Sequence, residues 1–293
     1  MKSKTFSEYT HECVCQLERD GRFSTAHLYS NACHSFSVYL GKAVIHFNDI
    51  TSNNLVSFER HLRHDGRRPN TVSTYMRMLR AIYNKGVNDG YARFVHNLFR
   101  NVYTGIDSSH KRALDRDQLN AIFYGTVKNS SLRRAQNAAR SMYQLCGMPF
   151  VDLVHANFNT VRDGILSYSR HKTGTGISIT VMDETLRTVR SLNLHHYDTR
   201  TSEGYRHYQS ALRKFNDQIN RLAHSLGLTV HISSYTFRHS WATTALHQHI
   251  PIEVISSALG HRSIKTTQIY LRGFDAHELG EVNKKLCEYI KTA

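Results

Sequence analysis

The apolar residues of the first hundred positions recur with the spacing of amphipathic helices. The clearest helix carries a single stripe, formed by Val72, Tyr75, Met76, Leu79, Ile82, Tyr83 and Gly86. Asn70 is its predicted N-cap. Breaks in the pattern divide positions 6–100 into four or five predicted helices, and they fall at Gly21, 41–54, 66–70 and Gly90. The pattern therefore predicts a helical N-terminal domain.

The pattern changes twice in the rest of the chain. Positions 106–112 are polar and aperiodic, and we predict that they link a domain at 1–105 to a second domain at 113–293. In the second domain, apolar residues alternate at 164–170 and 177–181 around a glycine-containing turn, which predicts a β-hairpin. The segments on either side of it have helical spacing. The predicted fold class is mainly α, with a small β-hairpin inside an α+β second domain.

The charge of the chain indicates what kind of ligand the protein binds. The 293 residues include 38 Lys and Arg against 23 Asp and Glu, a formal charge of +15. A folded protein with this excess is expected to bind a polyanion such as nucleic acid. A basic surface that serves only solubility is the alternative. The predicted DNA contacts lie around the last helix of the first domain and in the linker, at Arg63, Arg67, Arg68, Arg77, Arg80, Lys85, Lys111 and Arg112.

Several classes of protein are disfavoured by what the sequence lacks. The five cysteines have neither disulfide-framework nor zinc-site spacing, and the 20 histidines are not combined with carboxylates or cysteines at ligand spacing. No phosphate-binding glycine loop and no HExxH motif occur. The sequence has no apolar run of about 18 residues and no signal-peptide pattern. We therefore expect a cytoplasmic protein with no metal, no cofactor and no membrane partner.

The C-terminal third carries two strings whose combination packing alone does not explain. Positions 238–243 read RHSWAT, and positions 259–270 read LGHRSIKTTQIY. These strings resemble the second-arginine box and the LGH…T…Y box of the tyrosine recombinases, also called phage integrases. The helical first domain also resembles the SAM-like core-binding domain of that family. Within the family, the chain resembles the bacterial invertases and mobile-element integrases.

The resemblance implies phosphoryl transfer and assigns residues to it. Tyr270 would attack the scissile phosphate, leaving a 3′-phosphotyrosine and a free 5′-hydroxyl. Arg238 and His261 would donate hydrogen bonds to the phosphate. Lys172, in the hairpin turn, would protonate the leaving 5′-oxygen. The remaining predicted catalytic residues are Tyr235 and His239.

Two positions depart from the pattern of the family. Pro149 stands where the resemblance predicts the first catalytic arginine, and proline can neither donate a hydrogen bond nor carry charge. Another arginine is expected to reach the site, and the sequence does not decide between Arg134, Arg140 and Arg170. Tyr235 stands where the family has histidine or lysine. Asp152 keeps the position of the acidic residue of that family.

The predicted function is that of a site-specific recombinase that integrates, excises or inverts double-stranded DNA. Four protomers would assemble on the DNA in the bacterial nucleoid, with accessory DNA-bending proteins as further partners. The amphipathic segment 278–290 is expected to dock on a neighbouring protomer, or alternatively to pack on its own domain. Two other functions stay open. One is a DNA-binding relative that Pro149 has made weak or silent in catalysis, and the other is a nickase without strand exchange.

Overall fold

The structure is a computed structural model that describes residues 3–107, 113–270, 283–284 and 287–288. The chain forms two compact units, Met1–Ser109 with Asp198–Tyr208 and His110–Tyr197 with Gln209–Ala293. The described residues are mainly helical and contain one two-stranded antiparallel sheet, which confirms the predicted fold class. The predictions for Lys111, Arg112 and most of segment 278–290 lie outside the described residues.

Residues 3–107 of the first unit form four α-helices, besides a short 3₁₀ helix at Phe47–Asp49. They are α1 (Phe6–Arg19), α2 (Phe23–Leu40), α3 (Ser52–His64) and α4 (Pro69–Asn88). The predicted N-cap of α4 is wrong, because Arg68 is the cap and Pro69 is the first helical residue. Proline suits that position, since its missing N–H would have no partner inside the helix. Asn70 instead uses both polar atoms of its side chain to bond the backbone of Asp107.

The core of the first unit is rich in aromatic residues. Phe6, Phe36 and Phe58 are fully buried, and Phe6 meets Phe47 edge-on with ring centroids 5.4 Å apart. The predicted stripe of α4 lies in this core, with no exposed area at Val72, Met76, Leu79 and Ile82. Gly86 completes the stripe, because a Cβ there would lie 2.5 Å from the ring of Phe47. The ring therefore packs into a notch in α4 that a side chain would fill.

The second unit contains the predicted hairpin between two groups of helices. The elements before it are α5 (Arg116–Tyr124), α6 (Ser130–Gln144) and α7 (Phe150–His155). Strands β1 (Ile165–Ser169) and β2 (Gly176–Thr180) pair antiparallel, with Leu166 opposite Ile179. After the hairpin the chain forms α8 (Asp183–Ser191), α9 (Ser202–Ser225), α10 (Ser234–His247), α11 (Ile252–Leu259) and α12 (Ile264–Tyr270). The start of α9, up to Tyr208, belongs to the first unit. Leu166 and Ile179 are buried, so one face of the hairpin packs inward.

Two glycines allow close approaches between these segments. Gly260 ends α11 with φ 65°, and a Cβ there would lie 2.4 Å from Cδ1 of Ile177 on β2. Gly147, between α6 and α7, has φ 66°, and a Cβ there would lie 3.1 Å from the Cα of Arg238 on α10. Residues with side chains rarely adopt these backbone angles. The end of α11 therefore contacts the hairpin, and the turn before α7 contacts α10.

Candidate functional site

Buried charge is confined to one place in the described residues. Of the Asp, Glu, Lys and Arg side chains described, only Asp152, Arg170 and Arg238 are buried. Such burial is rare without a partner or a function, because each ion loses hydration worth several kcal/mol. Two arginines and one aspartate leave a net charge of +1. We call these three side chains, together with His261, the arginine cluster.

Arg238 links three segments at the centre of the cluster. Its Nη1 donates to the carbonyl oxygen of Gly147 at 3.1 Å, and its Nη2 donates to that of Leu259 at 2.6 Å. Nη2 also lies 3.1 Å from Nε2 of His261. Backbone acceptors on two sides therefore hold the guanidinium group in one orientation. Donors fixed in advance in this way are what phosphate stabilisation requires.

His261 has the hydrogen bonds of a neutral imidazole. Its Nε2 accepts from Arg238, so the ring proton is on Nδ1 and is donated to Oγ1 of Thr267 at 2.8 Å. Burial, followed by the positive charges of Arg238 and Arg170, lowers the pKa of His261 to about 4. The imidazole is therefore uncharged at neutral pH.

Arg170 enters the cluster from the hairpin. It directly follows β1, and its backbone N–H donates to the carbonyl oxygen of Thr175 at 2.8 Å across the turn. Its Nε lies 2.6 Å from Oδ2 of Asp152, in an ion pair whose side chains are 8% and 0% exposed. Its Nη1 donates to the carbonyl oxygen of Leu259. Because Arg238 uses the same oxygen, two guanidinium groups converge on one acceptor.

The other two candidates for the missing arginine have partners elsewhere. Arg140 on α6 lies 3.5 Å from Glu184 of α8 and also covers the ring of Tyr124. Arg134 donates to the carbonyl oxygen of Asn193 at 3.2 Å. Both side chains thus reach toward α8 and the residues that follow it.

Lys172 and Tyr270 lie on elements that adjoin the cluster. Lys172 is exposed in the hairpin turn, two residues after Arg170. In the same turn, the carbonyl oxygen of Thr173 accepts from Arg262 at 2.6 Å, which ties the turn to the segment between α11 and α12. Tyr270 is the last residue of α12, and its side chain lies outside the described part of the structure.

Tyr235 and His239 lie one turn apart on α10, with ring centroids 6.3 Å apart. Tyr235 is 42% exposed, and His239 is half-buried. Because residues three and four apart share a helix face, Tyr235 lies on the same side of α10 as both Arg238 and His239. The structure therefore places an exposed phenol and a half-buried imidazole on the side of α10 that also carries Arg238.

Two groups of the site were not predicted from the sequence. Thr267 is fully buried and bonds His261. It stands within the string 259–270, so the resemblance could have identified it. The other group is the carbonyl oxygen of Leu259, which belongs to the backbone. No side-chain pattern predicts such an acceptor, because any residue at that position supplies one.

The predicted DNA contacts of the first unit are surface residues. The six that the structure describes are all exposed: Arg63, Arg67, Arg68, Arg77, Arg80 and Lys85. Arg63 forms an ion pair with Glu59 at 2.9 Å and lies over the ring of Tyr103. Arg77 and Arg80 are on the side of α4 that faces away from the aromatic core. These side chains keep their hydration and present positive charge to solvent.

The described residues hold no group of three or more His, Cys, Asp or Glu side chains that could bind a metal ion. Among the same residues, none of the helices has the length and apolar character needed to cross a membrane.

Family comparisons cover most of the chain. Residues 5–99 match the family model described as Phage integrase SAM-like domain, and residues 112–277 match the one described as Phage integrase family. Tyrosine recombinase XerC of Rickettsia massiliae (strain Mtu5) is 38% identical over 58 residues, which is 20% of this chain and 19% of that relative's length. Tyrosine recombinase XerD of Listeria monocytogenes serovar 1/2a is 22% identical over 267 residues, 87% of this chain and 89% of the relative.

The fold also resembles solved structures. A lambda integrase tetramer bound to a Holliday junction aligns with a TM-score of 0.66 and 14% identity, covering 94% of this chain and 80% of that one. At this identity the likeness establishes a shared fold.

Proposed function

Because this chain belongs to the phage integrase family of tyrosine recombinases, we propose that it is a site-specific recombinase that cleaves and rejoins double-stranded DNA. The observation that carries this proposal is the arginine cluster, a buried net positive charge beside the helix that ends in Tyr270. A scissile phosphate would supply the negative charge that the cluster lacks. Residues 1–105 would bind DNA and residues 113–293 would perform the reaction, with 106–112 as the linker.

Tyr270 is the proposed nucleophile. Its hydroxyl oxygen forms a bond to the scissile phosphorus while the bond from phosphorus to the 5′-oxygen breaks, which joins the 3′ end of the strand to the protein. The phenol loses a proton, for which His239 is the proposed acceptor, and the 5′-oxygen gains a proton from Lys172. A 5′-hydroxyl of the partner strand then attacks the phosphotyrosine and restores a phosphodiester. The number of high-energy bonds is unchanged, so no nucleotide is consumed.

Arg238, His261 and Tyr235 would stabilise the charge on the phosphate. The carbonyl oxygens of Gly147 and Leu259 hold the guanidinium of Arg238 in place, and its Nη2 would exchange the bond to His261 for one to a non-bridging oxygen. The phosphate charge would oppose the effect of the neighbouring arginines and raise the pKa of His261. Nε2 would then take a proton from solvent, give up the bond from Arg238 and donate to the phosphate. Tyr235 adds a phenolic donor from the exposed side of α10.

Four protomers would act together on two duplexes, in the bacterial cytoplasm at the nucleoid. The fold likeness to the lambda integrase tetramer on a Holliday junction supports this assembly. Mass photometry of the protein with a synthetic four-way junction, with and without a DNA-bending protein, tests it. Four protomers per junction are expected, and two at saturation would contradict the proposal.

The test of the chemistry uses a duplex that traps the covalent intermediate. The duplex is taken from repeats flanking the gene, or is selected from a random-sequence library on the wild-type protein. A nick just 3′ of the cleavage point lets the short fragment with the free 5′-hydroxyl diffuse away. In a buffer with chelator, the wild type should give a protein–DNA band on a denaturing gel. Tyr270→Phe should give none while binding the duplex equally well.

The opposite result would indicate a different function. If the wild type binds the selected duplex tightly but never forms the covalent band, the protein is a DNA-binding relative without catalysis. The substitution of proline at position 149 is the observation that favours this second function.

A further inference from the structure

We propose that Arg170 is a catalytic residue that supplies the guanidinium group missing at Pro149, and that Asp152 positions it. This inference rests on the proposed function, because Arg170 would act on the scissile phosphate. It chooses one of the three arginines between which the sequence does not decide. The choice is based on the placement of Arg170, on its unused hydrogen-bond donors and on the charge of the cluster.

The backbone around Pro149 leads directly to Arg170. Pro149 is the buried N-cap of α7, three residues before Asp152. Oδ1 of Asp152 accepts the backbone N–H of His171 at 2.9 Å, and Oδ2 lies 2.6 Å from Nε of Arg170. One carboxylate on α7, that of Asp152, therefore contacts both the backbone of the hairpin turn at His171 and the side chain of Arg170.

The guanidinium group of Arg170 points at the same place as that of Arg238. Both donate to the carbonyl oxygen of Leu259, so the two groups lie side by side around one oxygen. Among the described residues, no acceptor is found for Nη2 of Arg170. A non-bridging phosphate oxygen placed near this carbonyl would meet donors from both arginines. One arginine from α10 and one from the hairpin would then form the pair that the transferring phosphoryl group needs.

The charge of the cluster also favours an anion between the two arginines. Asp152 balances one of the two buried positive charges, and the described residues bury no second carboxylate. The pKa of His261 is lowered first by burial and then by the charges of Arg238 and Arg170, so the excess positive charge is also felt at this ring. Side chains that served only to join the hairpin to α7 would need a single ion pair. The second, uncompensated arginine calls for an anionic ligand.

Packing against Gly260 and hydrogen bonds across the hairpin turn fix the position of Arg170. A Cβ at Gly260 would lie 3.2 Å from Cγ of Arg170 and closer still to Ile177. The backbone of Arg170 is held across the hairpin turn by Thr175 and Gly174 at 2.8 Å each. The guanidinium therefore needs little rearrangement to receive a phosphate, as expected of a transition-state donor.

The test compares two DNA probes that differ only in the charge of the scissile phosphate. Both are the nicked trapping duplex described above. One carries the natural phosphodiester. The other carries a methylphosphonate, in which a methyl group replaces one non-bridging oxygen and removes its charge. A guanidinium that neutralises this oxygen is needed for the first probe and is dispensable for the second.

On the phosphodiester probe, Arg170→Ala should form the covalent complex about 100-fold more slowly than the wild type, the usual cost of one lost transition-state donor. The methylphosphonate probe should recover most of that loss. Arg140→Ala is the matched control, because it removes an arginine that pairs with Glu184 outside the cluster. This control should match the wild type on both probes, and all variants should bind DNA alike.

Two further variants keep the test decisive if Arg170→Ala does not fold. The double variant Asp152→Asn, Arg170→Gln replaces the buried ion pair by neutral side chains of similar size. Arg170→Lys keeps the charge but loses the planar pair of donors that a guanidinium group presents. A folded variant that loses cleavage equally on both probes, or one that cleaves as fast as the wild type, would overturn the inference.

The two proposals fail in different ways. If the wild type forms no Tyr270-dependent covalent complex on the phosphodiester probe, the proposed function itself fails. If that complex forms and folded Arg170 variants match the wild type, only the role of Arg170 fails.

Discussion

The two units differ in where they keep their charges. In the first unit, the described Asp, Glu, Lys and Arg side chains all reach the surface around an aromatic and aliphatic core. The second unit buries two arginines and one aspartate. An exposed charge keeps its hydration and interacts weakly, whereas a buried charge interacts strongly with the few groups around it. The first unit is therefore suited to many weak contacts with a polyanion, and the second to a few strong ones with a single phosphate.

Two ion pairs show that distance alone does not make this difference. Lys42 and Asp49 in the first unit are 2.5 Å apart, and Arg170 and Asp152 in the second are 2.6 Å apart. The first pair is 49% and 15% exposed, and the second is 8% and 0% exposed. Water screens the first pair, so its loss should matter little. The second pair has no such screening, and its loss leaves a charge stranded.

The largest effect on stability is expected from Asp152→Ala. It leaves two buried arginines without a carboxylate, which should lower the free energy of unfolding by about 3–5 kcal/mol. Urea denaturation followed by circular dichroism measures the change. Glu12→Ala is the control, because it breaks the exposed pair with Lys4 in the first unit and should leave the urea midpoint unchanged. Equal losses in the two variants would remove the contrast between the units.

A smaller effect is expected from Gly86→Ala in the first unit. The new methyl group would lie 2.5 Å from the ring of Phe47, so the core must shift, at a cost of about 1–3 kcal/mol. Asn84→Ala, at an exposed position of the same helix, should be neutral or slightly stabilising, because alanine favours helix. The same urea titration measures both variants. A stabilised Gly86→Ala protein would mean that the notch in α4 is not tightly filled.

The stability of the second unit should depend on pH through His261. The pKa of His261 is about 4 in the folded state, below the value of about 6.5 for an unfolded histidine. The unfolded state therefore binds more protons between these values, so the contribution of His261 to stability is complete above pH 6.5 and is lost as the pH falls toward 4. The thermal unfolding midpoints of the wild type and of His261→Asn should therefore converge as the pH falls from 6.5 toward 4. Parallel curves for the two proteins would contradict the assignment.

The smallest effect is expected from single basic residues of α4. Arg80→Gln should leave stability unchanged and lower the slope of log binding constant against log salt by about one, the share of one phosphate contact. Fluorescence anisotropy with the selected duplex at several salt concentrations measures the slope. Arg19→Gln, at the end of α1 and outside the predicted DNA contacts, should not change it. A slope unaffected by Arg80→Gln would place the DNA on another surface.

The helices and the hairpin could be predicted because their signals are local. The stripe of α4 and the alternation around the turn at Lys172 both depend on neighbours a few residues away. The wrong N-cap at Asn70 shows the limit of such signals. A proline one residue earlier starts the helix, and Asp107 engages the side chain that a cap would use.

The candidate site was only partly predictable. The resemblance identifies Arg238 and His261, and the structure brings them together. It does not choose between Arg134, Arg140 and Arg170, because the choice depends on how the hairpin packs against α11. That packing requires the glycine at position 260, which the string LGH contains, and a backbone carbonyl at Leu259, which no side-chain pattern shows.

The shared carbonyl of Leu259 also bears on how the protein folds. Arg170 and Leu259 are 89 residues apart in the chain, and Gly147 and Arg238 are 91 apart. Contacts of such high contact order form late, after the loops between them have closed. A chain whose second unit is only partly folded therefore lacks the arginine cluster, although it already carries the proposed nucleophile, Tyr270. We expect DNA cleavage to appear only when the second unit is completely folded.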